Sequence, residues 1–438
     1  MSDAVSPEAL LARRQHVLAP TLAHSYDRPM TLVRGEMQHL FDGNGRRYLD
    51  FFAGISTVSV GHANPAVNAR VIGQIGELQH TSTLFLTEPV VSLAERLAGI
   101  TPGRLQKSLL TNSGTEANEM AVLLAKRFTS RHEIVALKHA YHGRSWLTAS
   151  LTGIAAYRVD PVAVPGIAFA ESPYCYRCPF GKVPSACDLE CARDLEVVIQ
   201  TQTTGAPAAF LAETIQGVGG IIVPPPDYFK VAREIANRHG MVFHLDEVQA
   251  GFGRTGTWFG IEQYGVEPDI VTMAKGMGNG FAIGGCITTP EIADSLTAGT
   301  INTFGGNPVS AAASLATIDY IEQHRLMQRA AELGAFLLDA LRGLQEEFPV
   351  IGDVRGKGLM LGLEIVADAR TKAPDVGTTR QVLERLKEDG VIVGRGGIHG
   401  NVIRLQPPMV ITRADCERLV AALRGALRRV VGAQPASA

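Results

Sequence analysis

The chain has 438 residues, 46% of them hydrophobic, and a formal net charge of -2. That length predicts two or three domains around a large core. The balanced charge, with neither a basic stripe nor a charge block, argues against a nucleic acid or an anionic membrane as partner, and no apolar run is long enough to span a bilayer.

At the N-terminus no basic region precedes an apolar segment, so the expectation is a soluble protein of the cytoplasm. Residues up to about Asn64 alternate polar and apolar, and 38–50 reads as a hairpin that turns over Asp42 to Gly45. From about Ser82 to Ile321, strand-like and helix-period segments take turns, among them strands at 133–137 and 209–212 and a helix at 228–238 that stops at Gly240. Such alternation predicts an α/β fold with a mainly parallel sheet covered on both faces. After Gln323 come a long helix, a short β region at 352–366, a helix near 379–388, strands at 391–393 and 402–405, and a last helix. This predicts a smaller α+β domain that also draws on the N-terminal end. The expected division is 1–75, 76–322 and 323–438, and the last few residues are of low complexity.

Within the alternating region, Leu109 to Met120 begins as a strand end and becomes a helix. Ser113 and Glu116 have capping-box spacing, and Ala117, Met120, Ala121 and Leu124 give a one-sided apolar face. Gly114 and Thr115 then fall in the first turn, whose N–H groups have no helical partner and suit a phosphate. No Gly-Lys-Ser/Thr ending makes this a nucleotide P-loop. Further on, Cys175, Cys178, Cys187 and Cys191 have spacing that a tetrahedral zinc site could use. Reduced thiols in a loop are the preferred reading, and no metal is assigned.

Two strand ends carry the chemistry. Met241 to Leu245 reads as a buried parallel strand, with Asp246 and Glu247 at its carboxyl end. A second buried-strand pattern, Asp269 to Ala274, ends in Lys275 and a glycine-rich turn, Gly276-Met277-Gly278-Asn279-Gly280. That turn lacks the strand–turn–helix and downstream acid of a dinucleotide site. An ammonium in apolar surroundings loses pKa toward neutrality, and a neutral amine can attack a carbonyl. Ligands of open α/β sheets bind at the carboxyl ends of strands. An acid and an amine placed there suggest a pyridoxal phosphate site, with the acid on the pyridinium and the lysine on the aldehyde.

Five motifs then converge. They are Ser113-Gly114-Thr115-Glu116-Ala117-Asn118, Tyr141-His142-Gly143-Arg144, the run from Leu245 to Gly256, the Lys275 run, and Asn302-Thr303-Phe304-Gly305-Gly306-Asn307-Pro308. With them the chain resembles the class III pyridoxal-phosphate aminotransferases of fold type I, from about Asp42 to the last helix. The runs Phe51 to His62, Val354 to Met360 and Val393 to Gly396 look most like the alanine–glyoxylate branch. The resemblance implies roles residue by residue. Lys275 matches the Schiff-base lysine and Asp246 the acid on the ring nitrogen. Tyr141 matches the aromatic on one ring face, with His142 beside it, and Val248 should pack on the other. Gln249 matches the amide near the ring hydroxyl. Ser113, Gly114 and Thr115 match the phosphate turn, and Thr303 a threonine that reaches the neighbouring subunit's phosphate, so the expected assembly is a homodimer or a dimer of dimers. Glu213 matches an acid close to the cofactor and the substrate arginine.

For substrates, Arg404 matches the arginine that grips a carboxylate through its fork. Arg144 matches a second arginine that holds a distal carboxylate in ω-amino-acid relatives. Ornithine and 4-aminobutyrate relatives gate the first arginine with a glutamate, where this chain has Val218 after Gln216-Gly217. Ile55 replaces the tyrosine of ornithine enzymes. The resemblance thus implies an aminotransferase working by ping-pong between alanine, β-alanine or a related donor and glyoxylate, pyruvate or another 2-oxo acid. A 4-aminobutyrate:2-oxoglutarate enzyme is the alternative, as is a racemase or lyase on the same fold.

Overall fold

The structure is a computed structural model and describes residues 6–432 except 23, 159 and 161. The first five residues, read for a leader, and the low-complexity end at 433–438 lie outside the described residues. A seven-stranded sheet organises the molecule. Its spatial order is Lys107–Thr111, Gly284–Thr288, Ile270–Met273, Val242–Asp246, Ala209–Glu213, Ile134–Leu137 and Ile167–Ala170. Only Gly284–Thr288 runs against its neighbours; the other pairings are parallel. The three central strands are buried along their length, as expected where helices cover both faces and strand sequences run continuously apolar. Register brings the chemical groups to one edge: Glu213 lies opposite Asp246, and Asp246 opposite Thr272, three residues before Lys275.

A five-stranded antiparallel sheet is built from Ile351–Lys357, Met360–Asp368, Ala373–Pro374, Gly394–Gly396 and Val402–Leu405. A third sheet joins the two ends of the chain: Leu32–Glu36, His39–Asp42 and Arg47–Asp50 continue into the late strand Val391–Ile392. The hairpin forms where expected because Asp42 Oδ1 accepts from the Asn44 and Arg46 N–H groups and closes the turn. The polar–apolar alternation does not reach back to the start of the chain. Pro7–Val17 is a helix, opened by the Ser6 hydroxyl that accepts from Ala9 N–H, and it buries none of its residues. The late helix also starts earlier than its apolar period implies, at Val376, because Asp375 caps the Thr378 N–H. Among the described residues no helix is long and apolar enough to cross a membrane.

Candidate active site

The carboxyl ends of the central strands open into a cavity of about 350 Å³. Ser113, Gly114, Thr115, Tyr141, His142, Arg144, Glu213, Asp246, Val248, Gln249 and Lys275 all line it. Arg404 does not, but it is bonded to Gln249, which does. Ile55 lies on an exposed turn of left-handed residues, φ 68°, outside that lining. Thr303 is exposed and also outside it.

Lys275 comes just after the strand Ile270–Met273 and itself takes a left-handed conformation, φ 44°, to enter a one-turn helix over Lys275–Met277. Asn279 anchors the glycine-rich turn: its side chain accepts from Val60 N–H at 2.9 Å and donates to Gly61 O at 3.0 Å. A Cβ on Gly276 would stand 2.6 Å from Ser59 Oγ, so a larger residue here would have to turn the Ser59 hydroxyl aside. Burial lowers the Lys275 pKa, while Asp246 and Glu213 pull it back up through space.

Asp246 is held from three sides. His142 Nδ1 and Asn118 Nδ2 each lie 2.8 Å from its Oδ2, and Val248 N–H donates to Oδ1 at 3.0 Å. Burial works against its charge, but these partners outweigh burial and hold its pKa below the ordinary carboxylate value. Asn118 is fixed in turn by the Thr272 hydroxyl, which donates to its Oδ1 at 2.7 Å. Glu213 has the opposite balance. Burial pushes its pKa up to about 7, against the pull of His142 and of the N–H groups of Tyr141 and Gly217, both at 2.8 Å.

The helix Gly114–Thr129 begins at the cavity. Only half of the expected capping box forms. Ser113 Oγ accepts from Glu116 N–H at 3.2 Å, but the Glu116 carboxylate turns to the backbone and side-chain N–H groups of Asn112 and to Asn302. The Gly114 and Thr115 amides, which no helical carbonyl can reach, therefore remain at the cavity wall. A Cβ on Gly114 would come within 3.0 Å of Val248. First-turn amides for a phosphate, an apolar wall at Val248, an aromatic at Tyr141, a prepared carboxylate and a half-buried amine fit pyridoxal phosphate in every part.

Asn118 was missed as a site residue by sequence reasoning. Its signal was a polar residue on the apolar face beside Ala117 and Ala121. Gln406 was missed too; its contacts with Arg404 and Gln249 reveal it. The cysteines gather around a small cavity away from the site, where Cys187 Sγ donates to Glu190 at 3.2 Å. Among the described residues no group of three or more His, Cys, Asp or Glu could hold a metal ion.

Fold and cavity together define a fold type I pyridoxal-phosphate enzyme. The family model described as aminotransferase class-III matches residues 21–427, and the chain belongs to that family. It is 44% identical over 419 residues to the mitochondrial alanine–glyoxylate aminotransferase 2 homolog 2 of Arabidopsis thaliana, covering 95% of this chain and 87% of the relative. The mitochondrial alanine–glyoxylate aminotransferase 2 of Homo sapiens is 40% identical, with 94% and 84% covered. A leucine/methionine racemase of Thermococcus litoralis is 38% identical, with 88% and 87% covered. Among solved structures, an amine transaminase from an uncultivated Pseudomonas species in its PLP-bound form superposes with a TM-score of 0.88 at 33% identity, covering 94% of this chain and 98% of that one. The protein is a pyridoxal-phosphate-dependent aminotransferase. The expected cytoplasmic location is corrected by these findings, since the alanine–glyoxylate relatives carry mitochondrial names; charge balance and hydropathy carry no information on compartment.

Proposed function

We propose that the enzyme moves the amino group of alanine, β-alanine or a similar donor to glyoxylate, pyruvate or another small 2-oxo acid. Bound pyridoxal phosphate supplies the sink for the Cα electron pair and carries the amino group between two half-reactions. The chain's residues do the rest. Gly114 and Thr115 hold the phosphate through first-turn N–H groups, with Ser113 beside them. Tyr141 and Val248 would enclose the ring, and Asp246, oriented by His142 and Asn118, would keep a proton on the ring nitrogen. Gln249, at the cavity wall, would stand near the ring hydroxyl. Lys275 would hold the cofactor's aldehyde carbon and would serve as the base for the proton at the substrate Cα, a task for an amine whose pKa burial has lowered. Glu213, whose pKa burial pushes up, acts on Arg404 through space.

The observation that carries the substrate class is Arg404. It is buried, its partners are the neutral oxygens of Gln249 and Gln406, and no gating glutamate stands at Val218. Such a fork suits a carboxylate close to the reacting carbon. The exposed Arg144, at the cavity wall, supports a second reading with a more distant carboxylate, as in 4-aminobutyrate. The test is to give the holoenzyme one amino acid and no oxo acid. A transaminase stops after one equivalent, with its visible absorbance lost; continued turnover with loss of optical activity would instead make it a racemase.

We propose further that the protein works as a homodimer in which the partner subunit's Thr303 completes the phosphate site. In support, Leu84, Phe85, Leu86, Ile301 and Phe304 stand exposed, and the rings of His80 and Phe304 lie 5.3 Å apart, joining the two segments into one apolar patch. The division at 1–75, 76–322 and 323–438 is proposed on the pairing of Arg47–Asp50 with Val391–Ile392.

A further inference from the structure

Everything that touches the Arg404 fork by hydrogen bond is neutral. Its Nη2 donates to Gln249 Oε1 at 2.7 Å and to Gln406 Oε1 at 2.6 Å. Gln406 Nε2 donates to the same Gln249 oxygen at 3.2 Å, so the three side chains form a closed triangle. Glu213 acts on the guanidinium only through space, and Arg404 Nε is buried with no partner. Burial lowers the Arg404 pKa only to about 10, so the group stays charged at neutral pH.

The triangle is rigid for local reasons. Gln406 is wholly buried, and its N–H donates to Phe51 O at 2.8 Å. Pro407 and Pro408 come next in the chain, and Arg254 donates to the Pro407 carbonyl. Gly396, across the sheet, leaves the space the arginine needs: a Cβ there would stand 2.5 Å from Arg404 Cδ. On the other side the guanidinium carbon lies 5.7 Å from the centre of the Phe52 ring.

A resident carboxylate in such a place would satisfy the cation and compete with any carboxylate arriving from solution. Amide oxygens orient the cation and meet part of its desolvation cost, yet leave its charge in force. We propose that Gln406 is the positioning residue that makes the site select carboxylate-bearing substrates, because with Gln249 it holds Arg404 charged, aimed and without a counter-ion until the substrate supplies one. The inference deepens the proposed function and rests on Arg404 being the carboxylate site.

The test uses the holoenzyme, with propionate as an unreactive probe whose Kd is read by calorimetry. Half-reaction kinetics with alanine, and with isopropylamine as a donor that has no carboxylate, run beside it. Gln406→Glu keeps the shape and adds a resident counter-charge. It should weaken propionate about tenfold or more and raise the KM for alanine in step, with kcat for alanine and the isopropylamine reaction little changed. Gln406→Met, of similar volume, removes the acceptor without adding charge and should weaken propionate less; it keeps the test open if the first variant folds poorly. Wild-type propionate binding in Gln406→Glu would overturn the proposal, as would equal losses with alanine and isopropylamine. Arg404→Ala separates the two levels. If it binds propionate like the wild type, the carboxylate assignment itself falls; if it loses propionate while Gln406→Glu does not, the clamp alone falls.

Discussion

The two ends of the site hold their buried charges in opposite ways. Asp246 is surrounded by donors, two side chains at 2.8 Å and a backbone N–H at 3.0 Å, and its negative charge is favoured before any ligand arrives. Arg404 is equally buried, but it has two amide oxygens and an orphaned Nε. The first arrangement is a preorganised electrostatic fixture, set once for a cofactor that stays. The second leaves a charge in want of an anion, which suits substrates that come and go. Burial alone therefore does not separate a fixed charge from a binding one; the number and charge of its partners do.

The largest effect should come from the amine between the two ends. Lys275→Ala should keep the cofactor through the helix-end amides but lose turnover by at least about 10²–10⁴-fold, the range of a positioned acid–base group. Steady-state kinetics check it, and near-normal turnover would remove the mechanism. Asp246→Asn keeps the shape of the fixed end and removes its charge. The expected loss in kcat with all substrates alike is on the order of 10²–10³-fold, as for one preorganised electrostatic group. Arg404→Ala acts on the other end, and its loss should depend on substrate: about 2–5 kcal/mol in kcat/KM for alanine and for glyoxylate, the cost of leaving one partner of a desolvated charge pair alone. A uniform loss from Arg404→Ala, or a selective one from Asp246→Asn, would erase the contrast between the ends.

The fixed end was far more legible in the sequence than the substrate end. Asp246 and Lys275 terminate buried runs of β-branched and apolar residues, and Gly114 and Thr115 open an amphipathic helix, so local periodicity alone puts them at strand and helix ends. The hairpin at Asp42 and the helix stopping at Gly240 were legible for the same reason, since turn and cap chemistry is local. What escaped is non-local. Nothing around Asn118 says that Asp246 lies 128 positions along the chain and 2.8 Å away. Nothing around Gln406 says that it meets Gln249. The Glu116 carboxylate, expected to close a capping box, was drawn off by Asn112 close by together with Asn302, 186 residues away. Ile55 was placed in the substrate pocket by resemblance alone; it lies exposed in a run of left-handed residues from Ala53 to Ser56 and outside the cavity lining.

The smallest effect sharpens the comparison from a place no ligand reaches. Glu247 adjoins Asp246, is fully buried, and has only neutral partners: the Thr214 hydroxyl at 2.6 Å and the N–H groups of Gly260 and Ile261 at 3.0 and 2.9 Å. Burial pushes its pKa up from 4.5 to about 7, with those donors opposing the rise. A folded-state pKa above the unfolded one means that the folded protein keeps a proton the unfolded chain has lost. The contribution of Glu247 to stability should then fall as pH rises from about 4.5 to about 7 and level off above that. One such group can contribute at most about 1.4 kcal/mol per pH unit. Glu247→Gln removes the titration while keeping an acceptor oxygen for the Thr214 hydroxyl, so urea midpoints measured across that window should become less dependent on pH. Glu213, also raised to about 7, keeps its own share of the slope. An unchanged slope would mean that three neutral donors hold a buried charge as well as His142 and Asn118 hold Asp246. The neutral partners of Arg404 would then no longer mark it as the charge that waits for a ligand.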